Sequence, residues 1–112
     1  LEAFTKTELH LATNMLSVFA DNSEQLLIGV NCRDLNTLEV NFSNFEKLAA
    51  DLPNSAMCVA ESGVNNLDDL QRVIDMGFGS ALIGTALMQS NNPTTKLHEM
   101  KHFARKAMVA RP

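Results

Sequence analysis

AMCVAESGVNNLDDLQRVIDMG, residues 56–77, holds a complete strand-and-helix unit in one stretch. Ala56–Ala60 is a short apolar run, of strand length, that stops at Glu61-Ser62-Gly63. Asn66 and Asp69 then stand at the spacing of a capping box, where each side chain takes a free N–H at the start of a helix. Leu67, Leu70, Val73 and Ile74 follow at helical spacing and make one apolar face. Gly77 closes the unit where a helix end favours a residue at positive φ.

The same grammar repeats outward in both directions. Apolar runs occur at Leu1–Phe4, Leu26–Asn31, Ala56–Ala60 and Ser80–Ile83, with starts 25, 30 and 24 residues apart. Each gap holds one helical pattern, so the chain reads as α/β, with parallel βα units joined by right-handed crossovers. Thr5 with Glu8, and Ser43 with Glu46, predict two further capping boxes. Thr85–Gln89 predicts an extra helical turn after the fourth strand. Pro93 then opens a last helix with Leu97, Met100, Phe103, Ala104 and Ala107 facing inward. The first helix carries two stripes, Leu9, Ala12, Leu16, Phe19 and Ala20 on one side and Leu11, Met15 and Val18 on another. It is either buried on two sides or a long helix with a locally apolar surface.

Residues 1–112 are expected to form a single domain, long enough for one core and too short for two. An apolar content of 46% and a charged content of 20% argue against disorder. The net charge of −4 gives no basic footprint for nucleic acid or an anionic membrane. No apolar run approaches the roughly 18 residues of a membrane span, and no leader pattern opens the chain. The first residue, Leu1 rather than Met, suggests a fragment. Cys32 and Cys58 lie in or beside strands without CxxC spacing, and read as reduced cytoplasmic thiols.

Sites in parallel α/β proteins gather where strands end and loops begin. Those ends carry Glu2, then Asn31-Cys32-Arg33-Asp34, then Glu61-Ser62-Gly63, then Gly84-Thr85. Strand alternation puts Glu61, Val59 and Met57 on one face, and Asn31 and Gly29 on the same face. Ala60, Cys58, Ile28 and Val30 then pack against helices. A carboxylate at the end of an apolar strand needs a partner, and an ion pair with Arg33 is the plainest structural explanation for Glu2 and Glu61. Gly63 and Gly84 let backbone N–H groups approach an anion, with the short helix from Thr85 aimed at the same point.

LIGVNCRDL (Leu27–Leu35), VAESGV (Val59–Val64) and ALIGTALM (Ala81–Met88) resemble the sixth-, seventh- and eighth-strand motifs of indole-3-glycerol phosphate synthases. The resemblance runs from Leu1 nearly to Met108. It implies half of a TIM (β/α)8 barrel, the phosphate-binding half, with strands five to eight. It implies a lyase of tryptophan biosynthesis that closes an indole ring on carboxyphenylamino-deoxyribulose phosphate with loss of carbon dioxide and water. By this resemblance Glu2 is the general base, and Asn31 hydrogen-bonds the sugar hydroxyls of the substrate. Arg33 helps organise the site, and Glu61 stabilises developing positive charge with Ser62 beside it. Gly63, Gly84 and Thr85 form the phosphate cradle. No cofactor and no metal are implied, and the partner is a phosphorylated small molecule.

Departures from the family pattern are as informative. The family's catalytic lysines lie on early strands that have no counterpart in this sequence, and no lysine here falls at a strand end. Cys32 stands where Asn or Ser is common, and the Leu9–Gln25 stretch exceeds the usual fifth helix. His98-Glu99-Met100-Lys101-His102 matches the H-E-x-x-H zinc pattern. Lys101 within it is unwelcome beside zinc, so a solvated helix face is the better reading. Met57, Met76, Met88, Met100 and Met108 read as core fillers. An open four-stranded sheet leaves an inner face and two edges bare. An N-terminal half-barrel, a second copy of the chain in a homo-oligomer, or the first helix folded across is expected to cover them. The isolated chain is expected to be inactive. The alternative is a non-catalytic half-barrel, a fragment or a self-associating phosphate-binding module.

Overall fold

The computed structural model describes residues 1–18 and 26–110. Its elements run β1 (Glu2–Ala3), α1 (Lys6–Val18), β2 (Leu27–Asn31), α2 (Ser43–Ala49), β3 (Met57–Glu61), α3 (Leu67–Met76), β4 (Ser80–Leu82), α4 (Thr85–Met88) and α5 (Pro93–Ala110). The four strands form one parallel sheet in the order β1-β2-β3-β4, each paired only with its neighbours in sequence. The register sets Glu2 beside Gly29, Asn31 beside Glu61, and Glu61 beside Leu82.

Local signals account for most boundaries. Thr5 N–H donates to Glu8 Oε1 at 2.9 Å and Glu8 N–H donates to Thr5 Oγ1 at 3.1 Å, so the expected reciprocal box starts α1. Asn66 caps α3 by accepting from Asp69 N–H at 2.8 Å, while Asp69 Oδ2 accepts from Asn65 N–H. Gly77 ends α3 at φ 107°, a left-handed conformation that a side chain would strain. Pro93 opens α5, where its missing N–H removes no intrahelical bond.

The sheet is two-faced, as strand alternation requires. On one side Ala3, Ile28, Val30, Cys58 and Ala60 are buried under Leu9 and Leu16 of α1, Phe45 and Leu48 of α2, Leu70, Val73 and Ile74 of α3, and Met100 of α5. Phe78 packs edge-on against Phe45 with ring centroids 5.4 Å apart. Each large side chain taken fully from water here contributes about 1.5–3 kcal/mol. Arg72 of α3 stacks over Phe42 at 4.3 Å and pairs with Glu46, tying α3 to α2. On the opposite side Leu27, Met57 and Leu82 are 50%, 52% and 61% exposed. Among the described residues the helices cover one face and leave the other bare.

Three expectations need correction, and one open alternative is decided. Ser43 and Glu46 form no capping box. Phe42 precedes α2 without a side-chain cap, and Ser43 gives both its N–H and its hydroxyl to Asn41 Oδ1. Asn41, two residues earlier, outcompetes Glu46, which is held by Arg72. Leu97 is exposed, because the packed stripe of α5 runs through Met100, Phe103, Ala104 and Ala107 only. Among the five methionines named as core fillers, Met100 is buried and Met76 packs on the core, while Met57, Met88 and Met108 are exposed. Met57 lies on the bare face, which explains its exposure. Finally, α1 does not cross that face: Leu9, Ala12 and Leu16 join the common core, and Leu11, Met15 and Val18 face outward. The Phe19 and Ala20 part of its stripe lies outside the described residues.

Candidate active site at the C-terminal rim of the sheet

Glu61 ends β3 on the bare face, and its carboxyl lies back across β2. The space that a Cβ would fill at Gly29 is occupied by Glu61, with Oε2 only 2.2 Å from it. Gly29 is buried for this reason, and a mid-strand glycine has its use here as a seat for another strand's side chain. Register puts Glu2 beside Gly29, so the glutamate of β3 reaches the glutamate of β1 over the strand between them. The two carboxyls are thereby brought close enough to act on each other electrostatically.

Burial first, and then the neighbouring Glu2 carboxyl, push the Glu61 carboxyl up to about 7, against the pull of the Leu1 ammonium. Glu61 Oε2 is shielded from solvent and has no donor facing it among the described residues. A proton between the two carboxyls satisfies both, and near neutral pH the pair holds it part of the time. Arg33 takes no part in this. Its Nη1 donates to Leu38 O at 3.0 Å as a brace within the β2–α2 loop, so the alternative in which an ion pair with Arg33 explains Glu2 and Glu61 does not hold. Asn31 sits at the end of β2 beside Glu61. Its Oδ1 accepts from Arg33 N–H at 2.9 Å, which fixes the side chain and turns the chain off the strand.

The second part of the rim is a cleft of ≈ 400 Å³ above β2, β3 and β4, lined in part by Arg33, Ser62, Gly63, Asn65, Gly84 and Thr85. The three residues expected to cradle phosphate, Gly63, Gly84 and Thr85, thus share one opening with Arg33 and Ser62. Ser62 and Gly63 both adopt left-handed backbone, at φ 67° and 75°. A Cβ on Gly63 would meet Cys32 Sγ at 2.6 Å and Val40 Cγ1 at 3.2 Å, so glycine is required there twice over, by conformation and by space. Burial pushes the Cys32 thiol up, which keeps it an uncharged packing group beneath the loop. Gly84 immediately precedes α4, and a methyl added there meets nothing within 4 Å. Glu2, Asn31 and Glu61 do not line the cleft; Asn31 and Glu61 end the strands whose following residues, Arg33 and Ser62, do.

Two site features escaped the sequence reading. Gly29 was legible as facing inward, but its role as a seat depends on a side chain 32 residues away. Asn44, on α2, donates through Nδ2 to both Phe4 O and Asn31 O at 2.9 Å. Its only signal was a polar residue next to Phe45 on the sheet-facing side of a short helix. As for the rival motif, His98 and His102 are exposed on α5, and no cluster of three metal-binding side chains occurs among the described residues. No helix of the described residues is long and apolar enough to cross a membrane.

Comparison with known proteins gives a consistent result. A solved structure, the BexX/CysO complex of Amycolatopsis orientalis, superposes on 75% of this chain and 34% of its own at a TM-score of 0.58 and 16% identity, a likeness of fold alone. The indole-3-glycerol phosphate synthase of Arthrobacter sp. (strain FB24) is 35% identical over 93% of this chain and 38% of its own length. That of Lacticaseibacillus casei is 36% identical over 93% of this chain and 37% of its length. That of Acetivibrio thermocellus is 39% identical over 67% and 29%. The chain therefore spans between about a quarter and two fifths of the relatives it matches. The sequence profile named indole-3-glycerol phosphate synthase matches residues 5–100. With four parallel βα units and that profile over most of its length, this chain belongs to the indole-3-glycerol phosphate synthase family and carries part of its α/β barrel.

Proposed function

We propose that the chain is the phosphate-binding half of an indole-3-glycerol phosphate synthase, a lyase completed by an N-terminal half-barrel. The observation that carries this reading is a glycine-walled cleft at the ends of β2, β3 and β4, with the Glu61 carboxyl lying over Gly29 toward Glu2 on the same sheet. The cleft volume falls in the range of small-molecule sites, about 300–1,000 Å³. In this reading Gly63, Gly84 and Thr85 take the substrate phosphate, with Arg33 and Ser62 at its border. Asn31 orients the sugar hydroxyls. Glu61, poised near neutrality, stabilises positive charge developing in ring closure, and Glu2 removes a proton. Each positioned acid or base is worth typically about 10²–10⁴-fold. Lys6, Lys47, Lys96, Lys101 and Lys106 all lie on helices away from strand ends, so the general-acid lysine comes from the other half. Two buried free cysteines fit a reducing, cytoplasmic setting.

The test is complementation. This chain is mixed with the N-terminal half of a relative, and indole formation is followed by fluorescence. Turnover is expected only with both halves, and Glu61→Gln should lower it by about 10²–10⁴-fold. Activity of the chain alone near that of an intact enzyme refutes the half-enzyme reading. So does silence from complemented pairs that demonstrably assemble.

A second reading, a non-catalytic module that self-associates, is favoured by the bare face carrying Leu27, Met57 and Leu82. Light scattering of the dilute chain separates the two. A monomer that binds no hydrophobic dye counts against self-association, and self-association of a chain that stays silent in assembled complemented pairs counts for the non-catalytic reading.

A further inference from the structure

The ladder between β1 and β2 has two rungs, Glu2 with Gly29 and Ala3 with Val30. Continued one step, it would pair Phe4 with Asn31, but the chain departs there. Phe4 N–H is taken by Glu8 Oε1 at 3.0 Å as the chain enters α1. The Asn31 side chain is committed to Arg33 N–H. Two backbone carbonyls, Phe4 O and Asn31 O, remain at the point where the strands diverge. Asn44 Nδ2 donates to both at 2.9 Å. A carboxamide nitrogen has two hydrogens and both are used. Serine or threonine offers one donor, and aspartate of the same size offers none.

β1 is the edge strand and only two residues long. On its N-terminal side the Leu1 ammonium donates to Leu27 O at 3.0 Å and Leu1 O accepts from Gly29 N–H at 2.6 Å. On its C-terminal side, where Phe4 leaves the ladder, Asn44 is the side chain that ties it to β2. β1 also carries Glu2. We infer that Asn44 is the positioning residue that clamps the ends of β1 and β2 and thereby holds Glu2 against Glu61, an assignment whose catalytic meaning rests on the reading of that pair given above. Without the clamp the edge strand swings from β2, the carboxyls separate, and Asn31 loses its anchor at the same rim. The effect passes through backbone carbonyls alone, since Asn44 sits on the helix side of the sheet and the carboxyl pair on the other.

The experiment uses Asn44→Leu, close in size, uncharged and without a donor. Glu61 faces Glu2, the Leu1 ammonium and apolar Leu82, and its carboxyl is followed by carbon-13 NMR across pH in the 112-residue chain. Protection of the buried thiols of Cys32 and Cys58 from a thiol reagent reports an intact core. The expected result is protected thiols and a Glu61 midpoint lowered by about one pH unit toward the ordinary carboxylate range. A midpoint that stays near 7 with thiols protected overturns the assignment and leaves Asn44 a structural staple. Should Asn44→Leu expose its thiols, Asn44→Ser, with one donor, is read instead: an intermediate midpoint supports the clamp and an unmoved one overturns it. In a complemented enzyme kcat falls by about 10–100-fold with KM little changed. An enzyme without activity would remove the proposed function but leave the NMR result standing.

Discussion

Gly29→Ala offers a clean way to displace a single carboxyl. The added methyl would sit 2.2 Å from Glu61 Oε2 and 2.7 Å from Cδ, whereas ordinary contact begins near 3.4 Å. The carboxyl must therefore retreat by more than about 1 Å, a displacement that typically lowers rate by about 10²-fold when it befalls a reacting group. The atoms met are the end of a flexible side chain, not backbone, so the strand accommodates alanine by letting Glu61 swing toward solvent. Folding itself is expected to change little, with about 0.4–1 kcal/mol gained from restricting the unfolded chain. The sharper consequence concerns pH. In the native protein Glu61 titrates near 7, above its ordinary 4.5, so the folded state holds a proton that the unfolded state has lost between those values. Stability from this source is complete below pH 4.5 and is lost as pH rises through about 7. Gly29→Ala removes that dependence. Urea midpoints of native and variant chains should therefore diverge in favour of the variant from pH 4.5 to 7 and run parallel above it. If the two curves stay parallel throughout, or Glu61 of the variant still titrates near 7, the seat-and-pair argument is wrong.

Gly63→Ala should destabilise by about 1–3 kcal/mol in urea unfolding, since it meets both a left-handed φ and the Cys32 thiol. Adding Cys32→Ala relieves the clash only, so full rescue by that second change would refute a conformational role. Gly84→Ala, with open space around its methyl, should leave stability within about 0.5 kcal/mol while weakening inorganic phosphate binding measured by calorimetry. Thr5→Ala breaks one half of the reciprocal box at α1 and should cost about 1 kcal/mol; a change below a few tenths would mean that Glu8 alone suffices as the cap.

The elements were legible where local chemistry decides them. Thr5 with Glu8, Asn66 with Asp69, Gly77 and Pro93 are signals read within four residues of each other, and each is found in place. Ser43 with Glu46 failed for the opposite reason: the competing acceptor, Asn41, and the competing partner, Arg72, come from outside the four-residue window. Phase along a strand sorted Glu61, Asn31 and Gly29 onto one face and Ala60 and Val30 onto the other. The same phase puts Met57 on the uncovered face with Glu61, so reading it as a core filler from residue type alone overrides a signal that strand alternation already carries. Lateral relations were the least visible. That Glu61 reaches across a strand to Glu2, and that Asn44 serves two strands, follow from pairing register, which no single run of sequence encodes.

The identity of strand order and chain order has a consequence for assembly. Every unit docks on the one synthesised just before it, so the contacts that build the sheet span one βα repeat and closure entropy is met in small steps. Such an array grows by accretion in the manner of a solenoid, with no strand threaded between earlier ones. A barrel made this way can be parted at any seam between units without unpicking the ladder on either side, which leaves its halves free to be shuffled, duplicated or supplied in trans.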